Sequence, residues 1–268
     1  MAFADLIAAG KKPVIVQLLP ALDTGGVEQG VVDLNAEIVK AGGRSIVVSS
    51  GGKRVGEITA AGGKHIALPV HSKNPLVILA NIRRLRDVIR AEKVDILHAC
   101  SRAPAWSALY AVRGTGAKFV TSCHSAHKIT GAIKRWYNSS ITRGARVIAV
   151  SEYLADYLRG NYAFDHGRLR VIHRGISLAK FDRNAVTAAQ MDDARKSFGI
   201  PDGGKVLILP ARLTRSKGHQ FTLAALKELA RRDFTCLFLT SNTGTSGFKS
   251  ELEEDIRRAG LSDHIRIG

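Results

Sequence analysis

Short apolar runs rich in β-branched residues alternate with amphipathic stretches along nearly the whole chain. The runs start at Val14 (VIVQLL), Ser45 (SIVVSS), His65 (HIAL), Val94 (VDILH), Lys118 (KFVTSC), Arg146 (RVIAV) and Arg168 (RLRVI), and they predict seven strands. Between them, apolar positions recur with helical spacing, as at Val27, Val31, Ile38 and Val39 and again at Leu79, Ile82 and Leu85. Strands that are apolar throughout, rather than at every second position, are covered on both faces. The pattern therefore predicts an α/β domain, a doubly wound, mostly parallel Rossmann-like sheet over residues 1–172.

From residue 173 to 203 the alternation lapses, leaving one short helical pattern and a closing Pro-Asp-Gly-Gly turn signal, which reads as an interdomain connection. A second series follows over 204–268: strand KVLILPA, a helix at about 218–231, strand FTCLFLT, a helix at about 249–259 and strand HIRI. Three strands and two helices make a partial second Rossmann-like domain. Because such sheets normally run to more strands, the chain is expected to stop inside that domain.

Composition narrows the partners. With 268 residues, 45% of them hydrophobic, the chain can bury a sizeable core. The three cysteines, Cys100, Cys123 and Cys236, each close an apolar run, as small buried residues in a reducing compartment do, and no disulfide framework is expected. The opening stretch has its charges after the apolar residues, unlike a secretory signal, and no apolar run is long enough to span a membrane. A cytoplasmic chain is expected. The net charge of +17, of which +10 falls in residues 101–200, calls for an acidic partner such as a phosphate or an anionic lipid. Nucleic acid is set aside because no basic-aromatic platform of a known module is present.

Four places carry candidate chemistry. Gly25 and Gly26 follow the first strand and open a helix, where bare backbone N–H groups favour a phosphate; a plain tight turn is the alternative. Arg212 and Lys217 follow the first strand of the second series, just before Gly218 and a helix start, a position suited to a phosphate; solvated surface charge is the alternative. His124 and His127 flank the end of the fifth strand. No third metal ligand accompanies them at a known spacing, and Cys123 should point away from His124, so His124 reads either as a donor to substrate or as a structural histidine. Residues 128–146 mix Ile129, Ile133, Trp136, Tyr137 and Ile141 with five basic residues, which suits a core-facing helix with a solvated basic side or a segment lying on an anionic membrane.

Taken in order, Gly25-Gly26-Val27-Glu28, Thr121-Ser-Cys-His124-Ser125, Val150-Ser151-Glu152, the segment Val171 to Phe181, and Arg212-Leu-Thr-Arg-Ser-Lys217-Gly218 resemble glycosyltransferase family 4, the retaining GT-B enzymes that use nucleotide sugars. The resemblance implies a GT-B fold, with an acceptor-side first domain and a donor-binding second domain. It also implies a nucleotide-sugar donor and a glycan or lipid-linked acceptor, with Gly25, Gly26, Arg212 and Lys217 at the donor diphosphate and His124 as the catalytic-site residue beside the transferred sugar. No cofactor is expected: the site is metal-independent, and the sequence holds no Asp-x-Asp motif. An envelope glycan, as in lipopolysaccharide or exopolysaccharide synthesis, is the expected product, made peripherally at the inner face of the cytoplasmic membrane. Two departures stand out. His173-Arg174-Gly175 replaces the family's common Pro-Asn-Gly, and no Glu-x7-Glu motif occurs, so the sequence reads as truncated within the donor domain. A non-catalytic remnant or binding module of the same fold is the alternative, and a GT-B epimerase a third.

Overall fold

The computed structural model describes residues 3–268 except 179, 202, 230–232 and 241–245. The chain divides into two compact units, Met1–Ser177 and Leu178–Gly268. The segment 173–203, read above as a connection, is shared between them.

In the first unit seven strands pair in parallel: β1 (Val14–Leu18), β2 (Arg44–Ser49), β3 (Lys64–Ala67), β4 (Ile96–Ala99), β5 (Lys118–Cys123), β6 (Arg146–Ala149) and β7 (Leu169–Val171). Their order is β3-β2-β1-β4-β5-β6-β7. The helices are α1 (Phe3–Ala8), α2 (Gly26–Lys40), α3 (Val55–Ala60), α4 (Pro75–Glu92), α5 (Arg102–Ala111), α6 (Ala132–Asn138) and α7 (Glu152–Asn161). β1 lies at the centre, with Val16 paired to Ile46 on one side and Leu97 on the other, all at most 1% exposed. Burial on both faces is why these strands read as continuous apolar runs. Local chemistry sets the ends of α4. Asn74 accepts from the Leu76 N–H, Pro75 occupies the first turn, and Lys93 stops the helix in the left-handed region at φ 52°.

The strand order reverses between β1 and β4. In parallel sheets ligands gather beyond the carboxyl ends of the strands at such a reversal, so the loops after β1, β4 and β5 are where a site is expected.

The second unit holds α8 (Ala188–Ser197), opened by a reciprocal Thr187–Gln190 cap. It also holds β8 (Lys205–Pro210), α9 (His219–Glu228), β9 (Phe234–Leu239), α10 (Ser246–Arg258) and β10 (Ile265–Ile267), with parallel order β10-β9-β8. Phe238, Leu252 and Leu261 are fully buried at its centre. The helix expected to reach residue 231 ends at Glu228, where Leu229 turns to extended backbone; residues 230–232, like Asp202 of the predicted turn, lie outside the described residues. The amphipathic stretch 128–146 forms only the two turns of α6 and a 3-10 turn at Ser139–Thr142. It faces both ways: Ile141 is 1% exposed, whereas Ile133 and Trp136 are 85% and 56% exposed.

Candidate active site

The first unit's candidate site begins at the amino end of α2. Gly25 caps the helix in an extended conformation without a side-chain hydrogen bond, which leaves the first N–H groups uncapped, and the Glu28 carboxylate folds back over it. The next helical turn is bare because Gly26 and Gly30 share a face, and the Arg174 guanidinium fills that space. A Cβ at Gly26 would stand 3.1 Å from Arg174 Nη1, and one at Gly30 would run into the same guanidinium. Arg174 is exposed and makes no hydrogen bond or ion pair among the described residues. Sequence reasoning noted residue 174 only as a departure from a family pattern. The signal that could have found it is the spacing of Gly26 and Gly30, one helical turn apart.

Beside it runs a buried polar chain across two neighbouring strands. His98 on β4 places Nε2 3.0 Å from Ser122 Oγ on β5, and the same hydroxyl is 2.7 Å from Nε2 of His124, just past the strand. Burial pushes both imidazoles down to about 4; for His98 the neighbouring His124 adds to this, and for His124 the Arg174 charge does. Both rings are therefore neutral at pH 7. A serine hydroxyl between two neutral rings must accept from one and donate to the other. Behind His98, the Cys100 sulfur lies 3.8 Å from its Nδ1, and burial raises that thiol to about 12, so it keeps its proton. The arrangement in which the Cys100 S–H finds an acceptor runs from that S–H to His98 Nδ1, from His98 Nε2–H to Ser122, and from the Ser122 O–H to His124 Nε2. His124 then carries its proton on Nδ1, an atom that is buried and has no partner in the chain. The chain ends in one spare hydrogen-bond donor.

Cys123 points to the opposite face, into the cluster with Ile141 and Leu154, where burial raises its thiol to about 11; it is a protonated core residue, not a nucleophile. His127 is engaged elsewhere, with Nδ1 3.4 Å from Ser125 Oγ and its carbonyl accepting from the Tyr157 hydroxyl. Among the described residues no three His, Cys, Asp or Glu side chains converge as a metal site.

Burial likewise lowers His127 to about 4, with the Arg102 charge contributing. His98, His124 and His127 thus bind protons less readily folded than unfolded, where 6.5 is the ordinary value. The unfolded state takes up more protons throughout this window, so their contribution to stability is complete above about pH 6.5 and is lost as pH falls toward 4. Urea midpoints should therefore drop between pH 7.5 and 5, and a flat midpoint would mean that the three rings are charged or solvated in the folded chain.

In the second unit the candidate residues lie between β8 and α9. Leu213, 2% exposed, anchors the loop in the core, and Gly218, at φ 81°, turns it into α9 without a side-chain cap. Arg215 is engaged, pairing with Glu251 and lying over the Phe248 ring. Arg212 and Lys217 on either side are exposed and have no carboxylate partner among the described residues. Two unpaired cations at a strand's carboxyl end and a helix start can hold a diphosphate. Gly25, Gly26 and His124 belong to the first unit, and Arg212 and Lys217 to the second.

The sequence model of Glycosyltransferase Family 4 matches residues 24–180, more than half of the chain. The chain belongs to glycosyltransferase family 4. A glycosyltransferase from Rickettsia africae is 35% identical with a TM-score of 0.86, over 96% of this chain and 68% of its own. HepE of Anabaena, solved in complex with UDP-glucose, is 15% identical with a TM-score of 0.77, over 95% and 68%. The family's GT-B fold is shared by these structures. The alpha-monoglucosyldiacylglycerol synthase of Streptococcus pneumoniae is 28% identical over 119 residues, which make up 44% of this chain and only 26% of that enzyme. No helix among the described residues is long and apolar enough to cross a membrane.

Proposed function

We propose that this family 4 chain transfers a sugar, with retention of anomeric configuration and without a metal, from a nucleotide sugar to a glycan or lipid-linked acceptor. The observation that carries the reading is the contrast within one loop: Arg215 is neutralised by Glu251, while Arg212 and Lys217 have no carboxylate partner among the described residues, where a leaving diphosphate needs positive charge. As the acceptor hydroxyl attacks the anomeric carbon, the bond to the diphosphate breaks and negative charge grows on its oxygen. Arg212 and Lys217 neutralise that charge. Gly25 and Gly26 let the backbone approach the donor, Arg174 adds a cation beside them, and His124 donates from Nδ1 to a hydroxyl of the transferred sugar. The UDP-glucose bound to HepE supports a UDP-sugar as donor. The lipid product of the pneumococcal relative and the exposed Ile133 and Trp136 beside Lys134 and Arg135 support an envelope acceptor met peripherally at the inner face of the cytoplasmic membrane.

The full-length protein, given UDP-sugars and candidate acceptors and followed by UDP release and by NMR of the product's anomeric proton, should give a product of retained configuration at a rate unchanged by EDTA. An inverted product, or a rate lost on chelation, would overturn the mechanism.

A further inference from the structure

At the opposite end of the first sheet lies an open pocket of about 380 Å³ that the transfer chemistry does not use. Its lining comes from segments that meet beneath the amino ends of three strands: Arg113 after α5 and before β5, Arg143 before β6, and Arg168 before β7, with Phe164 as an apolar wall. Three guanidiniums thus line one concavity with no carboxylate in its lining. Among the described residues Arg113 makes no hydrogen bond or ion pair and lies over the Tyr110 ring, 4.5 Å from its centroid. Arg143 makes two long contacts of 3.4 Å to Ser139 Oγ and lies over Trp106. Arg168 donates to the Gly144 carbonyl and lies 3.8 Å from Asp165. Like charges gathered with so little compensation repel one another, and an anion relieves that repulsion.

The surroundings indicate which anion. Ser139 donates to the carbonyl of Trp136, and Trp136 stacks on Trp106 at 4.4 Å, so the arginine pocket continues directly into the exposed face of α6. That face presents Ile133 and Trp136 to solvent, with the exposed Lys134 and Arg135 between them in the sequence. Apolar and aromatic side chains that enter an interfacial layer, next to a concavity of arginines, match a lipid whose phosphate projects from that layer.

We propose that Arg113, Arg143 and Arg168 form a binding site for the phosphate of an anionic lipid headgroup, with Ile133 and Trp136 seated in the membrane interface beside it. A phosphomonoester, with more charge and a terminal oxygen fork, fits three guanidiniums better than a phosphodiester does. The site does not depend on the transfer reaction, so it can fail while the transferase reading stands.

The test is sedimentation of the full chain with phosphatidylcholine vesicles containing either phosphatidic acid or phosphatidylglycerol at matched surface charge. Binding should be tighter to phosphatidic acid. Arg113→Gln with Arg143→Gln should weaken it by roughly 30-fold, from about five-fold per basic residue near an anionic surface, while Lys53→Ala with Lys73→Ala, which removes the same charge elsewhere, should not. Arg113→Gln alone, which gives up only a contact to an exposed ring, should show part of the loss with an unchanged melting temperature. Equal binding to both lipids, equal loss in the two double variants, or displacement by millimolar inorganic phosphate with no preference for vesicles would overturn the proposal.

Discussion

Replacing both Arg212 and Lys217 by alanine in the full-length protein is expected to cut sugar transfer by a factor of about a hundred to ten thousand. A charge-assisted hydrogen bond contributes roughly 1.5–3 kcal/mol, or about ten-fold to more than a hundred-fold for each residue, and the two act on one leaving group. Because that group gains negative charge as the glycosidic bond breaks, the loss should appear mainly in kcat, with a smaller effect on KM. Arg215→Ala is the informative neighbour. Its guanidinium is already paired with Glu251 and packed on Phe248, so its removal should lower the melting temperature of the second unit and leave turnover within a few-fold. Wild-type turnover in the double variant would remove the β8–α9 loop from the diphosphate site. Equal damage from all three single variants would mean that the loop matters through its fold and not through its two unpaired cations.

The parts of the molecule that could be read from the sequence are those governed by local pattern. All seven strand runs of the first unit and the three of the second fall within a few residues of their observed ranges, because strands buried on both faces leave continuous apolar runs between amphipathic helices. What could not be read depends on which strands become neighbours. His98 and Ser122 are 24 residues apart and meet only because β4 pairs with β5, so the local sequence around His124 left its role open. Arg174 reaches α2 from the far edge strand of the sheet, and only the bare stripe at Gly26 and Gly30 hints that something must fill it. Residues 128–146 failed as one amphipathic helix for a related reason. Gly131 delays the helix start, the tightening at Ser139–Thr142 turns Ile141 into the core, and Ile133 is left outside.

The buried chain through Ser122 gives the second large expectation. Ser122→Ala removes the hydroxyl that two neutral imidazoles share, which leaves His98 Nε2 and His124 Nε2 facing each other without a partner. Stranding a buried polar group costs about 1–3 kcal/mol, so the urea midpoint should fall. The consequence for His124 is more specific. With no hydroxyl donating to Nε2, nothing holds its proton on Nδ1, and the ring should populate both tautomers. Transfer should then drop about two-fold for an even mixture and at most about ten-fold if the Nδ1–H tautomer is lost, the value of one neutral hydrogen bond of roughly 1–1.5 kcal/mol to the sugar. Ser122→Thr keeps the hydroxyl at the cost of one methyl group in a packed site, so it should recover most of the activity even if it does not recover all of the stability. ¹⁵N shifts of the His124 ring separate the two effects: the wild type and the threonine variant should show a protonated Nδ1, and the alanine variant a mixture. An alanine variant that loses stability but keeps both its turnover and its tautomer would show that Ser122 only fills space, and that His124 is oriented by its burial against the strand ends alone.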